Sequence, residues 1–214
     1  ANGIGNTLTS LTRSKSYPAA SIRSACSLDG SAFWTAGAGS STTGSIRYAT
    51  FGNTNDSGLL ISKTISSARV ANIYNGQLYA SANSGSFRLT TVGTGVPVAS
   101  GQVMTNLPGF PTATYDPYAY VLLDMNAAVP GMDVLYVANQ GSAATGGLYK
   151  YSLVGSSWVA NGYIAGNIRG VTAAVNCDGK AELYMTRALN SSAKATRLHA
   201  YVDITGYNVS LGNG

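Results

Sequence analysis

Ile22-Arg23-Ser24-Ala25-Cys26-Ser27-Leu28-Asp29-Gly30-Ser31-Ala32-Phe33-Trp34-Thr35-Ala36 is the stretch that decides the fold. It spells an extended segment, an Asp-Gly turn and a second extended segment. Asp-Gly and Asn-Gly tolerate the positive φ that a tight hairpin demands. The same grammar returns at Arg69-Val70-Ala71-Asn72-Ile73-Tyr74-Asn75-Gly76-Gln77-Leu78-Tyr79-Ala80. A third unit pairs Tyr118–Asp124 with Asp133–Ala138 across a longer loop, and a fourth pairs Arg169–Val175 with Ala181–Met185 across Asn176-Cys177-Asp178-Gly179.

Each hairpin is followed by further strands. Third strands are expected at Ser45–Tyr48, Ser86–Leu89, Leu148–Tyr151 and Arg197–Tyr201. Fourth strands are expected at Gly58–Lys63, Val96–Met104, Trp158–Ile164 and Tyr207–Leu211. The second-strand aromatics Trp34, Tyr79, Tyr136 and Tyr184 are spaced by 45, 57 and 48 residues. Four short strands per unit at such a period is the pattern of propeller blades. A lone blade cannot hide its apolar face, and stacking blades hides it. The predicted fold is therefore an all-β β-propeller of about four four-stranded blades, or part of a larger one. The first strands, being inner, are expected to be the most buried. An N-terminal arm or edge strand over 1–16 precedes a single repeat domain over 17–214, with units at about 17–66, 67–107, 108–166 and 167–214.

Composition agrees. Charged residues are 10% of the chain, against about 25% in ordinary domains. A single Glu argues against helical faces, and 26 Gly argue for many turns. The net charge of +5 comes from scattered Lys and Arg, without the clustered footprint that nucleic-acid binding needs. No apolar run is long enough to span a bilayer as a helix. The chain starts Ala1-Asn2-Gly3 without Met, which fits a processed terminus and equally a piece cut from a longer chain.

Two features point to secretion. Cys26 and Cys177 are the only cysteines, and a bridge between them would clasp the first repeat to the last if four units close a ring; two free thiols are the alternative. Sequons at Asn55, Asn190 and Asn208 offer glycosylation sites.

Catalytic chemistry is absent from the pattern. The single His199 lies in an alternating strand with no nucleophile turn, and it reads as structural. One His and two distant Cys cannot fill a zinc site, and no calcium loop occurs. Asp29, Asp178 and Asp133 suit turns; Asp124 with Asp116 is a weak carboxylate pair for glycoside hydrolysis. No catalytic residue, metal or cofactor is therefore assigned. Arg23, Arg69 and Arg169 stand at the mouths of their first strands, where they could bind anions or glycans or brace neighbouring blades. Among Tyr115, Tyr118, Tyr120, Trp158 and Tyr163, the unphased Tyr115 and Trp158 are the better candidates for stacking on sugar rings.

The segments IRSACSLDGSAFWTAG (22–37), RVANIYNGQLYAS (69–81), TTVGTGVP (90–97), DVLYVANQ (133–140) and GGLYKYSLVGSSWVANG (146–162) resemble a family of uncharacterised secreted repeat proteins of bacteria and algae, of β-propeller type. The resemblance implies a fold and no active site. Members carry further blades before the region of Ala1, which implies an open edge able to pair with another chain. The expected function is a non-enzymatic extracellular structural or interaction module, such as a subunit of a surface layer or fibre. Its partners would be other chains, joined by edge-strand pairing, or glycans. The alternatives are a carbohydrate-binding propeller and, behind it, a hydrolase or lyase on the same scaffold.

Overall fold

A computed structural model describes residues 11, 13–18, 21–40, 43–55, 57–141, 145–188 and 196–212. One helical turn, α1 (Arg13–Ser16), precedes fifteen strands. They form four antiparallel meander sheets of the β-propeller type, one for each repeat. The first holds β1 (Ile22–Cys26), β2 (Ala32–Gly37), β3 (Ile46–Thr50) and β4 (Leu59–Ser62). The second holds β5 (Ala68–Tyr74), β6 (Gln77–Ser84), β7 (Phe87–Val92) and β8 (Met104–Asn106). The third holds β9 (Pro117–Leu123), β10 (Val134–Asn139), β11 (Gly147–Val154) and β12 (Ser157–Ala165). The fourth holds β13 (Asn167–Val175), β14 (Ala181–Ala188) and β15 (Thr196–Asp203). The chain divides into two compact units, Ala1–Thr105 and Asn106–Gly214.

The hairpin grammar has a direct backbone cause. Tyr74 pairs with Gln77, leaving Asn75 (φ 45°) and Gly76 (φ 69°) as a two-residue turn with both φ positive. At the first hairpin Asp29 Oδ1 accepts from the Ser31 N–H at 2.9 Å and from its hydroxyl at 2.6 Å. The fourth turn differs from the expectation. There Asn176 Oδ1, not Asp178, accepts the N–H groups of Asp178 and Lys180. Asp133 is no turn residue either: it is buried, and its carboxylate holds the third loop by accepting from the N–H groups of Met125 and Asn126.

The four marker aromatics occupy equivalent places. Trp34 lies between Cys26 and Tyr48, Tyr79 between Asn72 and Thr91, Tyr136 between Val121 and Lys150, and Tyr184 between Thr172 and Ala200. Within each unit the first blade's ring is the buried one: Trp34 and Tyr136 are covered, whereas Tyr79 is half-buried and Tyr184 is 41% exposed.

Three expectations change. First strands are not the most buried: β1 and β13 are largely exposed, while β10 is buried throughout. A second strand has hydrogen-bonded neighbours on both sides, so it sits in the middle of its blade's packed face. Among the described residues the fourth sheet has three strands, not four. Tyr207–Leu211 runs instead as a strap along the third blade: Tyr207 Oη donates to the Leu153 carbonyl at 2.6 Å, and the Leu211 N–H to the Asn161 carbonyl at 2.7 Å. A bulge opposite Lys150 lets β12 receive the strap, and Gly162 (φ 79°) leaves room beside Ser210. Finally, within the expected arm, Arg13–Ser16 is a helical turn and not a strand; residues 1–10 and 12 lie outside the described residues. The Ser16 carbonyl accepts Arg47 Nε–H at 2.8 Å, and the buried Tyr17 hydroxyl meets Thr35 Oγ1 at 2.7 Å.

Candidate functional site

The arginines and cysteines divide between bracing and exposure. Arg23 is committed to structure: its guanidinium donates to Ser67 Oγ at 2.9 Å and to the Ala68 carbonyl at 3.0 Å, stitching β1 to the start of β5. Arg69 is half-buried. Arg169 is exposed, with its guanidinium 5.8 Å from the centre of the Tyr118 ring. Cys26 and Cys177 are both free thiols, so the expected bridge is not formed. The Cys26 thiol donates weakly to the Trp34 carbonyl at 3.7 Å, and burial pushes its pKa up to about 12, which keeps it protonated and inert. Cys177 is exposed in the fourth hairpin loop. Asn55 and Asn208 are exposed, as glycan attachment requires, while Asn190 lies outside the described residues.

The aromatic candidates separate. Trp158 is 6% exposed, too deep to stack on a sugar. Its backbone N–H donates to the Pro108 carbonyl at 2.8 Å, tying β12 to the segment before β9. Alternation along β12 places Trp158 against Leu153, a pairing the sequence did not betray. Tyr115, by contrast, joins a run of rings on the third blade. Its ring meets Tyr149 edge-on at 5.1 Å, and Tyr149 stacks on Tyr163 at 4.7 Å with planes 7° apart. Phe110 closes the inner end, 6.0 Å from Tyr115 and 4.9 Å from the buried Tyr151. Tyr149 and Tyr163 meet because they are direct cross-strand partners on β11 and β12. Tyr163 is 41% exposed, so one ring face stays open to solvent. Burial, with the neighbouring Tyr115 and Tyr163, raises the pKa of Tyr149, so its phenol stays uncharged at neutral pH. The sequence offered Tyr115 and Tyr163 as separate candidates; Tyr149, the ring that joins them, looked like core because it is phased with the repeat.

Inside the same unit lies a polar centre that the sequence did not announce. Lys150 Nζ and Asp203 Oδ2 are 2.6 Å apart, and both side chains are fully buried. Tyr136 Oη donates to Asp203 Oδ2 at 2.6 Å, Thr205 donates to Oδ1 through its hydroxyl at 2.6 Å, and Lys150 also donates to Thr205 Oγ1 and the Gly206 carbonyl. Burial alone would raise the Asp203 pKa. The donors Lys150, Thr205 and Tyr136 outweigh it and hold the carboxyl below its ordinary value. Every partner is satisfied and no solvent reaches the pair, so it fastens β15 to β10 and β11 rather than reacting. The clue in the sequence was Lys150 inside Leu148-Tyr149-Lys150-Tyr151, a charge at a strand's centre.

Among the described residues no three His, Cys, Asp or Glu side chains gather to hold a metal ion. No helix among them is long and apolar enough to cross a membrane. No protein-family model matches the chain, and no curated protein matches it. Among solved structures the chain is similar to a "putative 6-phosphogluconolactonase" from Bacteroides uniformis ATCC 8492, at 12% identity and a TM-score of 0.45. The match covers 89% of this chain and 55% of that one, so this chain spans about half its length. That likeness is too thin to bring a substrate or a mechanism across.

Proposed function

We propose that this protein is a non-catalytic, extracellular carbohydrate-binding module on a β-propeller scaffold. The carrying observation is the Tyr115–Tyr149–Tyr163 run, which ends in an open phenol face. Aromatic faces suit the apolar C–H face of a pyranose, and Tyr adds a hydroxyl that can bond sugar oxygens. Contact of each ring with the next fixes its orientation before a ligand arrives, so little side-chain entropy is lost on binding. A low-charge chain rich in Gly and Tyr fits a secreted setting, in line with the family resemblance. The test is a glycan array followed by titration of the best binder. Tyr163→Ala should weaken it about tenfold, equivalent to 1.4 kcal/mol, with folding unchanged because Tyr163 is the outermost ring. An array without binders, or full affinity in the variant, rejects the proposal.

A second reading, a self-associating structural module, draws on the fourth sheet. Among the described residues β15 is that sheet's last strand, and Leu198 on it is 73% exposed. An unpaired edge can accept a further strand. Sedimentation over a wide concentration range decides this: growth in mass that Leu198→Lys abolishes supports it, and a constant monomer rejects it.

A further inference from the structure

A cleft of about 180 Å³ opens between β12 of the third blade and the inner face of the fourth, lined by Ile164, Ile168, Met185, Arg187, His199 and Tyr201. Its walls are mostly apolar, and its polar side chains are Arg187, His199 and Tyr201. Strand alternation sends Met185 and Arg187 of β14 to the same face as Arg197, His199 and Tyr201 of β15, with Met185 opposite His199 and Arg187 opposite Arg197. Two arginines directly opposite repel one another. Neither Arg187 nor Arg197 has a carboxylate partner among the described residues. His199 Nε2 is buried and has no hydrogen-bond partner. A buried polar atom without a partner costs about 1–3 kcal/mol, and a ligand oxygen here would recover it. Gly166 leaves the guanidinium its space, since a Cβ at that position would meet Arg187 Nε at 2.9 Å.

We infer that this interblade cleft binds a small organic carboxylate with a short apolar body. The carboxylate would accept from the Arg187 guanidinium and from His199 Nε2, which can donate in the tautomer protonated there. The alkyl part would lie on Ile164, Ile168 and Met185. Inorganic phosphate satisfies the cation and leaves those three side chains unfilled, so the walls select for the carboxylate's tail. The volume suits a body of a few carbons and excludes a sugar chain, so the site is separate from the tyrosine run.

His199 is the chain's single histidine, so its ring resonances are an unambiguous reporter. Butyrate titrated into the full chain at fixed pH and ionic strength should shift them saturably, with acetate binding several-fold more weakly. Arg187→Gln should weaken butyrate at least tenfold, and Arg187→Lys less. No saturation by about 10 mM, well past the affinity expected of a built site, overturns the inference. So does equal binding of acetate and butyrate, a saturable shift with inorganic phosphate matching that with butyrate, or unchanged affinity in Arg187→Gln. If Arg187→Gln fails to fold, the acetate, butyrate and phosphate series on the unmodified chain decides the matter.

Discussion

Unit Ala1–Thr105 and unit Asn106–Gly214 bury the same aromatic position by opposite means. In the first, Trp34 sits in a dry cluster with Ala36, Ile46, Ile61, Leu78 and Ala80, and its single polar atom, Nε1, donates to the Pro97 carbonyl at 2.8 Å. In the second, Tyr136 reaches into a buried ion pair and donates to Asp203. A dry contact loses stability in proportion to the volume removed and is indifferent to pH. A buried ion pair contributes little net energy but fails badly when one partner goes, because the other charge is left without solvent. One repeat grammar can therefore yield two units with different weaknesses.

The sharpest way to break the comparison is Lys150→Met. It leaves the Asp203 carboxylate buried without its cation and should cost the second unit about 3–5 kcal/mol, read by denaturant melts of a variant whose only tryptophan is Trp158. The double variant Lys150→Met/Asp203→Leu should recover much of that loss; a double variant as unstable as the single one would show that the pair itself supplies the energy.

Acid should separate the units next. The Asp203 carboxyl lies below its ordinary value in the fold, so its contribution is present above the unfolded value of 3.8 and disappears as pH falls through the folded one. The second unit should thus lose stability below about pH 4 while Trp34, as the sole tryptophan of a second variant, reports an unchanged first unit. Coincident acid transitions would refute the contrast. The smallest effect is expected for Trp34→Phe, which removes one hydrogen bond and part of a ring, at about 1–2 kcal/mol and with no dependence on pH.

The hairpins were readable because each rests on neighbouring residues. Asn75-Gly76 turns the chain where it stands, and Trp34, Tyr79, Tyr136 and Tyr184 keep one place because each is the third or fourth residue of its blade's second strand. The fate of Tyr207–Leu211 was not readable. Its residues suit a strand, yet its best partners were the Asn161 and Leu153 carbonyls of the neighbouring blade. Trp158 and Tyr163 show the same limit at the candidate site: two aromatics five residues apart on one strand, one sealed and one open.

The order of residues, acting over short distances, determined that this chain makes hairpins, that they repeat, and that the repeats are propeller blades. Tertiary contact alone decided which rings meet, that Lys150 and Asp203 share a dry site, that Cys26 spends its thiol on Trp34, and that His199 faces a cleft with Arg187. Turn and strand preferences are local and additive along the chain. Ring stacks, buried charges and clefts join residues up to 67 apart, and no local preference encodes such a meeting.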